Sequence, residues 1–269
     1  MNWIYLSKNG DDEYIDMYAH GLGCSSTPLE TWSYEDSADP IMLRGIMKHK
    51  IIKQCWADGR PFRYMDSGYL GNRPGFRNPH GWKLWHRIVP NNLQHDQVIP
   101  RSSDRWHQLG LEISRRRHGS SILIVAPDEK PCKFYDIELE TWLTETINTI
   151  KQHTDRPIVM RERNKSRTER KINRVENALQ DVHAVVTFNS IAATEAVLAG
   201  VPVFTLAPSN AARPVANLTL DNIEKPWFPD ADQILAWACH LAYGQFHIDE
   251  FKNGSAERIL KATEEMLHV

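Results

Sequence analysis

Val182-His183-Ala184-Val185-Val186-Thr187-Phe188-Asn189-Ser190-Ile191-Ala192-Ala193-Thr194-Glu195-Ala196-Val197-Leu198-Ala199-Gly200-Val201-Pro202-Val203-Phe204-Thr205-Leu206 is the stretch that decides the fold. It reads as a buried strand, a sharp turn, a short helix and a second buried strand, with no spare residue between them. A helix between two strands makes those strands parallel. Asn189 and Ser190 fall at the carboxyl end of the first strand, where the helix begins. Backbone N–H groups left unbonded there, and the positive end of the helix dipole, suit a phosphate. Glu195 sits one turn further in, beside Thr194, placed to meet hydroxyls of the same ligand.

Working outward, the chain after residue 119 alternates regularly. Ser121–Ala126 and Pro157–Met160 read as strands, and Ile137–His153, Arg167–Leu179, Asp230–Tyr243 and Ala256–Leu267 as helices. Such alternation predicts an α/β fold with a doubly wound parallel sheet, whose ligands gather at the carboxyl ends of the strands. Arg161 and Arg163 follow one such end and face Ser190 in this reading, where guanidinium groups can neutralise a diphosphate bidentately. A solvated patch with Glu162 and Glu169 is the competing reading. The sequence lacks Gly-x-Gly-x-x-Gly after Ser121–Ala126, Gly-x-x-x-x-Gly-Lys-Ser/Thr, Gly-x-Ser-x-Gly and His-Glu-x-x-His. Dehydrogenase, P-loop, hydrolase-elbow and zincin chemistries are thereby disfavoured.

The first half is rich in loops. Trp3–Leu6 and Ile15–Tyr18 read as short strands, and the stretch to Ala38 as a long surface loop. Asp39 as N-cap, Pro40 at the first helical position and Gly59 at the end predict one helix, with Met42, Ile46, Ile52 and Trp56 as its buried stripe. Phe62–Met65 and Leu84–Val89 read as strands. Asp66, at the end of the first and before a glycine-rich loop, is the leading candidate for a general base, with Asp16 and His20 as competitors. Arg73, Arg87 and Asn91 are candidate acceptor contacts. A boundary near residue 118 divides the chain into domains 1–118 and 119–269.

At 269 residues and a net charge of −2, the composition is that of an ordinary globular protein. No apolar run approaches the roughly 20 residues that span a bilayer. The N-terminus has no secretory leader, so a cytoplasmic location and no membrane partner are expected. Cys24, Cys55, Cys132 and Cys239 are scattered, which predicts free thiols rather than disulfides or zinc. Residues 1–59 are acidic on balance, whereas 60–118 carry eleven Lys/Arg and five His, with Trp82, Trp85 and Trp106 among them. A basic stretch with aromatics can track a phosphate backbone and stack on bases; internal ion pairing is the alternative.

The segments Phe188–Ala196 and Ala199–Val203 resemble the donor-site unit of the GT-B glycosyltransferases, in the capsule- and Kdo-transferase-like branch. The resemblance covers about residues 119–210. Many members carry another Glu eight residues before the ribose-binding one; that position is Thr187 here. Asp66–Asn72, Arg87–Gln94, Leu241–Phe246 and Asn253-Gly254 are similar to phage-encoded relatives that glycosylate hydroxylated pyrimidines in DNA. The resemblance implies two Rossmann-like domains facing a cleft, with the C-terminal helices crossing back to brace the first. It implies a nucleotide sugar (a UDP-sugar) bound by Arg161, Arg163, Asn189, Ser190, Thr194 and Glu195. It implies double-stranded DNA as partner, in a host cytoplasm. It requires no metal and no cofactor beyond the co-substrate. Transfer to a surface glycan, sugar-nucleotide epimerisation and non-catalytic DNA binding stay open, as does the choice between monomer and dimer.

Overall fold

The structure, a computed structural model, describes residues 2–8, 13–72, 83–161 and 178–267. In chain order the elements begin with β1 (Ile4–Ser7), α1 (Glu13–Gly21), β2 (Thr27–Pro28), β3 (Ile41–Arg44), α2 (His49–Asp58), β4 (Phe62–Ser67) and β5 (Trp85–Pro90). Then come α3 (Asp104–Gln108), β6 (Ser121–Val125), α4 (Glu129–Tyr135), α5 (Leu139–His153), β7 (Ile158–Arg161) and β8 (Val182–Thr187). The chain continues through α6 (Ala192–Leu198), β9 (Val203–Thr205), α7 (Ala231–Tyr243), β10 (Gln245–His247), α8 (Ile248–Lys252) and α9 (Ser255–Leu267). They form two compact units. Of the described residues, the first unit holds those up to Asn72, residues 83–93, and those from Ala242 on; the second holds Gln94–Leu241.

The second unit is built on the parallel sheet β7-β6-β8-β9. All six residues of β8 are buried, as expected of a strand covered on both faces. Ile122, Ile124, Ala184, Val186 and Phe204 of the sheet pack with Ile150 of α5. His183 is tolerated within β8 because its Nε2 bonds the Ile223 carbonyl at 3.0 Å. The return from α6 to β9 turns at Gly200, whose φ of +82° suits glycine. A Cβ there would lie 2.0 Å from the Arg115 carbonyl oxygen, because residues 114–117 run directly over it. The strands expected in this half are present. The helix expected over Ile137–His153 is present as α5, starting two residues later, and a separate short helix, α4, precedes it. The chain turns left-handed at Asp136 (φ +56°), and Glu138 caps α5 by accepting from the Glu140 and Thr141 amides. The helix expected over Arg167–Leu179 lies outside the described residues, apart from its last two positions.

The first unit has a six-stranded sheet in the order β10-β5-β4-β3-β1-β2, in which β5 runs antiparallel to both its neighbours, β4 and β10, and the other pairs are parallel. Two sequence expectations are corrected here. The helix expected from Asp39 begins instead as β3, in the middle of the sheet, with Ile41, Met42 and Leu43 fully buried. Three successive apolar residues need cover on both faces, which a central strand provides and one face of a helix does not. The helix itself starts only at His49 and stops, as expected, at Gly59 in the left-handed region. Of the expected stripe, Ile52 is buried, but Trp56 is 43% exposed and donates its indole N–H to the Asn91 carbonyl. Ile15–Tyr18, expected as a strand, lies in α1, where Ile15, Tyr18 and Ala19 share the face turned to the core.

The C-terminal segment is part of this first unit. β10 pairs with β5, and α9 is held by Arg63 of β4. That guanidinium is 1% exposed and meets Glu264 at two points (2.8 and 2.7 Å) and Glu257 at 2.5 Å, under the ring of Trp3. Tyr18 donates its hydroxyl to the same Glu257 oxygen.

Candidate functional site

In the second unit, the carboxyl ends of β7, β8 and β9 collect most of the expected donor residues. The loops after β8 and β9 are joined by the Ala207 amide, which donates to the Phe188 carbonyl at 3.1 Å. Asn189 and Ser190, both half-buried, open toward α6. The Ser190 hydroxyl accepts from the Ala192 amide at 3.2 Å, so it closes the first turn as a cap does. Thr194 is buried and spends its hydroxyl on the Ile191 carbonyl at 2.7 Å. Arg161, at the end of β7, lies close enough to Glu195 for their charges to act on each other. Burial pulls the Arg161 pKa down, and the Glu195 carboxylate opposes it without overcoming it. A cation at the end of β7 and an anion on α6, with β6 between β7 and β8, thus lie within electrostatic reach of each other. Behind them Tyr135 and Trp142 meet the ring of Phe188 edge-on at 5.1 and 6.2 Å, forming an aromatic wall. Arg163 lies outside the described residues.

In the first unit, Asp66 lies inside β4 rather than after it, opposite Arg87 of β5. Its Oδ1 accepts from the Ser67 amide at 2.7 Å, and its Oδ2 accepts from the Tyr64 hydroxyl at 2.7 Å. Arg87 reaches Oδ2 at 3.4 Å. Burial by itself would raise the Asp66 pKa. The charge of Arg87, the Tyr64 hydroxyl and the Ser67 amide outweigh it and lower the carboxyl to about 2. About a third of the Asp66 side chain (32%) stays exposed, so it is reachable. Next to it, burial and the Arg44 charge lower His86 to about 3, so this ring is neutral near pH 7. Lys83 donates to the Ser67 hydroxyl at 2.6 Å, and Arg44 lies over the Tyr14 ring at 4.6 Å.

This network makes a pH prediction. A carboxyl held below its unfolded value of about 3.9 stabilises the fold above that pH, and loses the contribution as pH falls toward 2. Asp66→Asn should therefore flatten the fall in urea midpoint between about pH 4 and pH 2. An acid limb as steep as that of the parent would show that Asp66 is not the group responsible.

The expected acceptor residues are placed differently from one another. Arg87 is buried and serves the interior: besides Asp66 it donates to the carbonyls of Ser67 (2.6 Å) and Leu93 (3.3 Å), and it lies near the rings of Tyr64 and Tyr69. Asn91 is a turn residue with φ +54°, its side-chain oxygen accepting from the Phe62 amide at 2.9 Å. Arg73 lies outside the described residues. Asp16, the competing base, accepts from the Ser26 hydroxyl, which bonds Ser7 in turn; His20 is exposed at the end of α1. Gln245 has a role the sequence did not signal. It grips Leu70 by both amide (2.9 Å) and carbonyl (3.0 Å), and so fixes the loop that follows Asp66.

The basic stretch 60–118 does not form one open face. Arg60, Arg63, Arg87 and Trp106 are buried, and the three arginines bond internally. Among the described residues, no three His, Cys, Asp or Glu are grouped to hold a metal ion, and no helix is long and apolar enough to cross a membrane. All four cysteines are free thiols.

No protein-family profile and no curated protein matches the sequence. Solved structures do match by shape. The beta Kdo 2,7 transferase of Thermosulfurimonas dismutans KpsC superposes with a TM-score of 0.50 at 10% identity, covering 96% of this chain and 100% of that one. The beta Kdo 2,4 transferase of the same protein gives 0.47 at 10% identity, over 89% and 90%. At that identity the likeness to the first is one of fold: the chain has the mixed α/β architecture, with parallel sheets flanked by helices, of a solved Kdo transferase.

Proposed function

We propose that this chain is a glycosyltransferase of the GT-B type, moving a sugar from a nucleotide-sugar donor to an acceptor hydroxyl. The carrying observation is that Arg161 at the end of β7 and Glu195 on α6 lie within electrostatic reach of each other, in the sheet whose β8 leads into Asn189 and Ser190. In this reading Arg161, with Arg163, neutralises the donor's diphosphate, and Glu195 accepts hydrogen bonds from the ribose hydroxyls. Asn189 and Ser190 frame the phosphate, while Thr194 holds the first turn of α6 in shape. The donor is a UDP-sugar. As the acceptor oxygen bonds to the anomeric carbon, the bond from that carbon to the diphosphate breaks and the diphosphate leaves with the electron pair.

The acceptor proton passes to Asp66. A carboxylate held ionised at about 2 is ready to accept a hydrogen bond at any pH near neutrality. Being a weak base, it takes the proton only as the new C–O bond forms. Arg87 keeps Asp66 charged and oriented and is a positioning residue. Two acceptors compete: a hydroxymethylated pyrimidine in double-stranded DNA, and a hydroxyl of a surface glycan. Burial of Arg60, Arg63 and Arg87 withdraws three of the eleven cations of the stretch 60–118 from any surface DNA could meet, and favours the glycan.

The test is incubation with a panel of nucleotide sugars, with hydroxymethylated duplex DNA or with glycan acceptors, followed by mass spectrometry. A gain of one sugar on an acceptor is the expected result, with turnover but not donor affinity lost in Asp66→Asn. Release of free sugar from donor alone would mark an epimerase or hydrolase instead. Salt-dependent DNA binding with no response to any nucleotide sugar would mark a non-catalytic binder.

A further inference from the structure

The amino ends of strands β6 and β9 in the second unit's sheet carry a feature that the transfer reaction does not use. Arg115, Arg116, Arg117 and His118 are consecutive and exposed. The backbone beneath them is fixed: the Ser114 amide donates to the Leu198 carbonyl at 2.8 Å, and the Arg117 amide to the Gly200 carbonyl at 2.7 Å. Gly200 lets residue 115 pass at a distance that any Cβ would block. The cluster is therefore a rigid ledge and not a loose basic tail.

Its surroundings add both charge and apolar surface. Arg116 donates to the Pro226 carbonyl at 3.2 Å, which sets the ledge beside Lys225 and Trp227, both exposed. Trp227 is 44% exposed and Leu218 43%. The two are locked together because the Asn217 side chain bonds both the amide and the carbonyl of Trp227 at 3.0 Å. The nearby carboxylates are already engaged: Glu224 by Arg156, Asp181 by Ser120, and Asp221 near His153. Among the described residues no ion pair involves Arg115, Arg116 or Arg117.

The geometry points to a docking surface for an anionic lipid bilayer, with Arg115, Arg117 and Lys225 meeting headgroup phosphates and Trp227 and Leu218 entering the interface. Cations beside an exposed tryptophan and an exposed leucine are the chemistry of interfacial binding. A nucleic acid would use the arginines but gives an exposed leucine little to bury against, so the bilayer is the better fit. The ledge adjoins Gly119 and Gly200, which precede β6 and β9, whereas Asn189 and Ser190 follow β8. A six-residue strand separates the two ends by about 20 Å. Docking through the arginines therefore takes place away from Asn189 and Ser190, and it stands whether or not the proposed reaction does.

The experiment is co-sedimentation of the full chain with vesicles of phosphatidylcholine alone, and of phosphatidylcholine and phosphatidylglycerol in equal parts. Binding to the mixed vesicles only, released by high salt, is expected. The double variant Arg115→Glu/Arg117→Glu should weaken it by about tenfold or more, and Arg115→Lys/Arg117→Lys should keep it. Trp227→Ala should weaken it at low salt while leaving its salt dependence unchanged. Thermal melting should be unchanged in these exposed variants, which separates loss of docking from loss of fold. Absence of binding to the mixed vesicles overturns the proposal, as does full binding by the charge-reversed variant. Binding of duplex DNA through the same arginines, without vesicle binding, overturns it in favour of a nucleic acid.

Discussion

Alanine in place of Arg63 is expected to cost about 3–5 kcal/mol of stability, as breaking a buried ion pair by removing one partner does. The guanidinium is 1% exposed and holds two carboxylates of α9 at once, with its face against Trp3. Removing it leaves Glu257, itself only 10% exposed at the side chain, with a buried negative charge facing the Tyr18 hydroxyl. Truncation also opens a cavity under Trp3 and frees α9 from β4. Urea denaturation should show the loss in full, and hydrogen exchange should place the fastest new exchange in α9. Lys261→Ala is the control: Lys261 also pairs with Glu257, at 3.5 Å, but is 63% exposed and should matter little. An Arg63→Ala protein within about 1 kcal/mol of the parent would show that α9 is not held by this contact.

The second large effect concerns the donor. Arg161→Ala and Glu195→Ala are each expected to weaken nucleotide-sugar binding by about tenfold to a hundredfold, the usual cost of a hydrogen bond to a charged group. The two residues also act on each other, so their losses should not add. Calorimetric titration of the two single variants and the double variant measures this directly. The melting temperature of each variant shows whether the site or the fold was lost. Unchanged affinity in both single variants would move the donor away from the carboxyl ends of β7 and β8.

Much of the second unit was legible in the sequence because its signals are local. β8 announces itself as an uninterrupted buried run, and Gly200 and Pro202 mark the return to β9. The first unit hid behind ambiguous signals. Asp39-Pro40 imitates the start of a helix, and a three-residue apolar run such as Ile41–Leu43 fits a buried strand or a buried helical turn equally well. Only the flanking strands β1 and β4 decide between them. In α1 the spacing of Ile15, Tyr18 and Ala19 is helical, but nine residues with masking polar neighbours carry little periodicity.

The site shows the same division. Ser190 and Glu195 are one helical turn apart, so one strand–turn–helix motif exposes both. The Asp66–Arg87 pair spans 21 positions and comes from the antiparallel register of β4 with β5. The Arg63–Glu264 pair spans 201 positions, and no local pattern can announce it. The arginines of 60–93 looked like a surface for phosphates because composition reports charge but not direction. Burial shows that several of them hold the first unit together.

The most direct test of the central claim is titration of the intact chain with a panel of nucleotide sugars, followed calorimetrically, beside the Glu195→Ala variant. Saturable binding of a UDP-sugar that fails in the variant, while its melting temperature is kept, is the expected result. Binding of no nucleotide sugar, or equal binding by the variant, would contradict it.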